Sequence, residues 1–226
     1  MIQVRAKDGP IDMTRPPSTD PAQSRSSRKR QAILAAATEA FLQGGYLGTN
    51  MDEVAALSGV SKQTIYSHFG NKEALFVEIV TGMTLEAGDR VHEAIPHFED
   101  EADASEYLLR YADLQLEIVL TPRLMQLRRL VIGEAHRFPE LGKALFENGP
   151  KRSMATLEAA IKDFARRGML DVEDAALAAG QLNWLIMSTP LNLAMLLGDA
   201  GIPSPEELRR YAAQGVATFL AAYGKR

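Results

Sequence analysis

The chain has 226 residues, 46% apolar and 24% charged, with a net charge of -4 and no cysteine. That is enough apolar mass for a packed core, so wholesale disorder is excluded, and the missing thiols exclude a disulfide framework and a thiolate metal site. The acidic total argues against a general coating of nucleic acid, yet residues 1–76 carry nine Lys/Arg against seven Asp/Glu while the rest carry sixteen against twenty-two, a basic head on an acidic body.

Residues 1–26 are expected to form a flexible tail, punctuated by Gly9, Pro10, Pro16, Pro17 and Pro21 and ending in the basic run RSSRKR, first of all a solvated leader. It has no basic-then-apolar start of a secretory signal, which with the absent cysteines suits the cytoplasm. Ser27 is the expected cap of a helix carrying Ile33, Leu34, Ala37, Phe41 and Leu42, stopped at Gly44-Gly45. Thr49 with Asp52 is read as the capping pair of a second, short helix whose inner face is Val54, Ala55 and Leu57. The break Ser58-Gly59-Val60 follows, Ser61 caps a third helix that ends near Gly70, and Asn71 caps a longer one running towards Pro96. Two very short helices joined by a glycine turn are a helix-turn-helix signature, with 50–69 as its central unit.

Beyond Pro96 the helices lengthen. Asp103 with Glu106, Pro122, Pro139 and Pro150 each open one, and Asp171 or Asp174 opens an uncharged run that continues to Gly198. That run is long enough to span a bilayer, but Gln181, Asn183, Ser188, Thr189, Pro190 and Asn192 interrupt it and no Lys/Arg cluster flanks it. A buried helix, apolar all round and kinked at Pro190, is expected instead. Ser204-Pro205-Glu206-Glu207 opens the last helix. No strand pattern competes, so the fold class is all-α: a tail over 1–26, a head of short helices over 27–87 and a body of longer helices over 88–226.

The major groove of DNA admits one α-helix, provided that its outer face is polar and a second helix holds it at a fixed angle. In GVSKQTIYSHFGNKEALF, Val60 and Ile65 fasten the short helix inward while Ser61, Lys62, Gln63, Thr64, Tyr66, Ser67 and His68 remain for the duplex. Lys62 suits a phosphate or guanine, Gln63 a two-pronged pairing with adenine, and Tyr66, Ser67 and Thr49 the phosphate oxygens. Lys72 stands at a further helix N-terminus, which favours anions. A solvated helical hairpin is the plainer reading of such a face, but three caps, the turn and the polar side agree within thirty residues.

The stretch GGYLGTNMDEVAALSGVSKQTIYSHFGNKEALF resembles the DNA-binding domain of the tetracycline-repressor (TetR) family, through Gly45-Tyr46, Gly48-Thr49, Met51 to Ala55, Gly59-Val60-Ser61, Thr64-Ile65-Tyr66, His68-Phe69 and Lys72 to Phe76. The run RRLVIGEAHRFPELGKALFENGP, from Arg128 to Pro150, resembles the AefR-like subgroup. The resemblance implies a homodimeric repressor of a double-stranded DNA operator, released by a small apolar or amphipathic effector bound in the body. Tyr107, Tyr111, Phe138, Phe164 and Trp184 are candidates to line such a pocket, although each taken alone reads first as core.

A palindromic site needs two recognition helices, so the body must dimerise. The uncharged helix and the stripe Leu208, Tyr211, Ala212, Gly215, Val216 and Phe219 of the last helix are the expected interface. Metal chemistry is not expected: His92 and His97 straddle Pro96, and Glu134 and His136 point to different faces. No cofactor is called for, and no phosphate loop or nucleophile motif suggests an enzyme. A helical carrier of small molecules without specific DNA binding is the alternative, and an unrecognised hydrolase the third reading.

Overall fold

The computed structural model describes residues 21–95, 97–100 and 103–225, so that of the tail expected over 1–26 residues 1–20 lie outside them. Among the described residues ten α-helices follow in order: α1 (Pro21–Gly48), α2 (Met51–Ser58), α3 (Lys62–Phe69), α4 (Lys72–Ala94), α5 (Ala104–Val119), α6 (Pro122–Glu134), α7 (Pro139–Asn148), α8 (Pro150–Arg166), α9 (Ala175–Leu197) and α10 (Pro205–Tyr223). Strand-like pairing among the described residues is limited to one bridge between Leu170 and Gly224, so the fold is all-α.

Most boundaries follow from local chemistry. Ser61, Asn71, Asp103, Thr121 and Asp174 each accept a backbone N–H of the following first turn, and Ser204 and Glu207 form a reciprocal capping box. Two starts differ from expectation. Pro21 rather than Ser27 opens α1, so Ser27 lies inside the helix. Asn50 rather than Thr49 caps α2, its Oδ1 accepting from Asp52 N at 2.9 Å. The interruption expected at Gly44-Gly45 is present, with Gly45 at φ 70° and ψ 176° inside the span of α1. Pro190 lies within α9, which continues to Leu197.

Two apolar cores form. The head buries Ile33, Phe41, Val54, Ile65, Phe69 and Phe76, and it also takes in Leu127 and Val131 of α6 and Leu141 of α7, across the expected boundary at residue 87. The body core joins α5, α8, α9 and α10. Helix α4 serves both, with Ile79 and Val80 in the first and Val91 in the second.

The outer helices bear on the expected interface. Helix α9 is buried on one side only: Leu177, Trp184, Leu185, Leu193, Leu196 and Leu197 remain exposed, Leu196 at 79%. The α10 stripe runs the other way. Leu208, Ala212, Gly215, Val216 and Phe219 are buried in the chain's own core, and Tyr211 packs against that core. A Cβ added at Gly215 would stand 2.6 Å from Ile186 Cγ2, so this small residue permits the close α9–α10 seam within one chain. The five buried residues of the stripe therefore face their own chain's core, and Ala213, Ala217 and Ala221 are on the outward side.

Candidate nucleic-acid interface and ligand cavity

Three short-range devices fix the α2–α3 unit. Gly59 adopts φ 67° and ψ 25°, a left-handed conformation that a Cβ would strain. Its N–H donates to Ala56 O at 3.3 Å and that of Val60 to Ala55 O at 3.2 Å, closing the end of α2. Ser61 Oγ then accepts Thr64 N at 3.1 Å and opens α3. Ile65 and Phe69, both buried, hold α3 against the head core.

The opposite face presents Lys62, Gln63, Tyr66 and Ser67 to solvent, with Ser61 at its start and Thr64 and His68 half-buried at its margins. Several are already engaged. Lys62 Nζ meets Asp52 Oδ2 at 3.0 Å, and that hydrogen bond raises its pKa above the ordinary lysine value. Such an exposed pair is weak enough to be exchanged for a phosphate. Ser67 Oγ donates to Thr64 O at 2.9 Å, and the Ser61 and Thr64 hydroxyls lie 2.8 Å apart. Gln63 and Tyr66 are thus the principal uncommitted hydrogen-bonding side chains of the helix.

Two expected contacts lie apart from this face. Thr49 is only 6% exposed, and its hydroxyl turns inward, 3.1 Å from Ala40 O and 2.7 Å from Gly45 O, so it closes the α1–α2 junction instead of offering a phosphate contact. Lys72 Nζ donates to Thr49 O at 2.7 Å and lies 4.8 Å from the Tyr46 ring centroid. Partial burial lowers its pKa, countered by Glu134. Its ammonium clamps the start of α2 from behind, and one of its three protons is committed there.

The body holds two neighbouring cavities. One, about 310 Å³, is lined by Tyr107 and Tyr111 together with His92, His97, Phe98 and Arg152. Tyr111 donates to Ser153 O at 3.1 Å, and burial raises its pKa well above the usual phenol range. The other, about 420 Å³, lies between α4, α5, α6, α7, α8 and α9, with Trp184 and Phe146 among its walls. The five aromatic candidates therefore divide. Tyr107 and Tyr111 share one cavity and Trp184 lines the other. Phe164 is wholly buried core beside Tyr107, at 5.5 Å between ring centroids. Phe138 belongs to the head, its ring 4.5 Å from that of Tyr46. Neither lines either of these two cavities, because aromatic character alone does not distinguish packing from a wall.

Sequence reasoning missed the polar lining of the larger cavity: Gln115, Arg128 and Asn183. A signal existed for Arg128, whose helical neighbours Leu124, Met125, Val131 and Ile132 offer no acid. No group of three His, Asp or Glu side chains able to hold a metal ion occurs among the described residues. Nor, among the described residues, is any helix long and apolar enough to cross a membrane.

Residues 33–79 match the profile of bacterial regulatory proteins of the tetR family, and residues 106–225 that of the AefR-like transcriptional repressor C-terminal domain. A crystal structure of a TetR-family transcriptional regulator from Mesorhizobium loti superposes with a TM-score of 0.82 at 36% identity, covering 89% of this chain and 99% of that one. The flavonoid-responsive regulator FrrA gives 0.72 at 28% identity over 88% and 99%. The HTH-type regulator YhgD of Bacillus subtilis is 48% identical over 67 residues, 30% of this chain and 35% of that protein. That match and the 54-residue match to RutR of Escherichia coli thus span about a third or less of those relatives. ArpR of Pseudomonas putida is 28% identical over 193 residues, 75% of this chain and 85% of that protein.

Proposed function

This chain belongs to the tetR family of bacterial regulatory proteins, and from that premise we propose that it is a homodimeric repressor, released from a palindromic operator by a small ligand. The observation that carries the reading is the α3 face: Gln63 and Tyr66 directed outward on a helix pinned by Ile65 and Phe69. Gln63 reads a base edge in the major groove, Lys62 exchanges Asp52 for a phosphate, and Tyr66 with the serines positions the backbone. No enzymatic step and no cofactor enter this reading, and the protein acts in the cytoplasm, where its DNA is.

Dimerisation uses the outward side of α9, with its exposed leucines, and the small outer residues Ala213, Ala217 and Ala221 of α10. Together they make an apolar four-helix interface once a second copy is added. The effector occupies the larger cavity, whose wall includes Ala87, Gly88 and Val91 of α4. Because the same helix carries Ile79 and Val80 into the head core, a ligand that favours one packing of α4 also biases the spacing of the two recognition helices.

The test is retardation of DNA from upstream of the protein's own gene. Specific binding at one palindrome, falling steeply with salt, supports the proposal. Non-specific retardation in low salt alone refutes it and favours the carrier reading.

A further inference from the structure

The larger cavity is apolar over most of its wall, with three methionines, Met125, Met154 and Met187, able to shape themselves to a guest. Its volume of about 420 Å³ is in the usual range for small-molecule sites. Against this wall stand three polar side chains, Gln115, Asn183 and Arg128, two of them with unmet capacity. Gln115 is 3% exposed; its Nε2 donates to Asn183 Oδ1 at 2.9 Å, while its Oε1 accepts no hydrogen bond. Arg128 is the third, and it makes neither an ion pair nor a side-chain hydrogen bond among the described residues.

The neighbouring arginines make that isolation specific. On the same helix Arg123 pairs with Glu39 at 2.6 Å, and Arg129 meets Asp199 at 2.5 Å and Ala194 O at 2.8 Å. In the adjoining cavity Arg152 pairs with Asp89 at 2.8 Å. Arg128 alone among these four lacks an acid. Burial lowers its pKa with no carboxylate raising it, yet a guanidinium stays charged at any physiological pH. An unpaired cation at an apolar wall is unfavourable and is relieved by an anion brought from outside.

Resting on the effector-responsive reading above, we propose that the effector is an amphipathic organic anion, a carboxylate on an apolar body, whose carboxylate is held by Arg128. The planar guanidinium fork matches a carboxylate in two-pronged fashion, which neither a neutral ligand nor a cation would exploit. The apolar body lies among the methionines, and a hydroxyl or N–H on it can satisfy Gln115 Oε1. Binding there reaches the head through α6 itself, since Leu127 and Val131, on either side of Arg128, are buried in the head core.

The test uses the full chain and its single tryptophan, Trp184, which lines the cavity and reports occupancy by its fluorescence. Decanoate and 3-phenylpropanoate are titrated, each beside its neutral primary amide. At least one acid should bind saturably and roughly tenfold or more tighter than its amide, the worth of a charge-assisted hydrogen bond. Arg128→Met should abolish that preference, and Arg128→Lys should restore part of it. Failure of both acids to saturate, equal binding of acid and amide, or a preference kept by Arg128→Met overturns the proposal. The acid-against-amide comparison in the parent decides even if the variants do not fold. Gel shifts of the ligand-free parent separate the two readings: specific operator binding without acid preference refutes only the anion, whereas absent operator binding refutes the regulator.

Discussion

Ala212 and Ala217 are five residues apart on α10 but on opposite sides of it, and glutamate at each should fail in a different way. Ala212 is 0% exposed within a core that joins α5, α9 and α10, and Arg209, one turn before it, is exposed to solvent and already acts on Asp113 of α5. A glutamate there must stay protonated at pH 7, roughly 2.7 pH units above its ordinary pKa, which costs about 3.7 kcal/mol. Overpacking adds about 1–3 kcal/mol. Together these approach the whole stability of an ordinary domain, about 5–15 kcal/mol. Ala212→Glu should therefore melt far below the parent or not fold. Ala217 is exposed, and glutamate is a good helix former, so Ala217→Glu should alter chain stability by only a few tenths of a kcal/mol. In the dimer, however, it sets like charges against a closely packed apolar seam. Thermal melting by circular dichroism and light scattering across a concentration series separate the two effects: Ala217→Glu should be a helical monomer with weakened operator binding. If Ala212→Glu melts like the parent but is monomeric, or Ala217→Glu remains as tight a dimer as the parent, the orientation of α10 argued here is wrong.

Other perturbations address the head. Gln63→Ala should weaken operator binding by about 1–3 kcal/mol and relax preference at one base pair, while Lys62→Ala should lower the slope of affinity against salt by about one; selection from randomised sites and salt titration measure these, and unchanged values in both would displace α3 from the groove. Gly59→Val forces a branched side chain to φ 67°, so melting temperature and operator affinity should fall together, with a backbone term of about 1–2 kcal/mol read from denaturant unfolding. Thr49→Val removes the hydroxyl that faces Ala40 O and Gly45 O and should lower stability by about 0.5–1.5 kcal/mol while leaving the affinity of the folded protein intact; a selective loss of DNA binding would return Thr49 to the interface.

What could be read from the sequence was local. Ser61, Asp103, Asp174 and the Ser204–Glu207 box announce their helices because a cap and its N–H partner lie within three residues. Whether Thr49 or Asn50 caps α2 was not decided locally: Gly45, four residues back, leaves its carbonyl where the Thr49 hydroxyl can reach it, which frees Asn50 for the cap. The α10 stripe failed for a different reason. Periodicity identifies the apolar side of a helix but not whose core receives it, and Leu208, Ala212 and Val216 would show the same spacing in a dimer seam or in their own chain. Gly215 carried the same ambiguity, since a close approach to a neighbouring chain or to Ile186 requires the same small residue.

The head core extends across the expected boundary at residue 87, and that packing links the cavity to the head. Helix α6 is tied at its start to the head, through Arg123 and Glu39, and further along to the end of α9, through Arg129, Ala194 and Asp199. Between those ties Arg128 lines the cavity, and Leu127 and Val131 enter the head core. Just beyond α6, Phe138 packs on Tyr46, and Tyr46 lies under the ammonium of Lys72 that holds the start of α2. Each link is a packed or charged contact between rigid elements, so a shift of α6 at the cavity has few ways to be absorbed before it reaches the helix-turn-helix. Phe138, expected in the pocket, is instead part of the connection by which the pocket can act on the head.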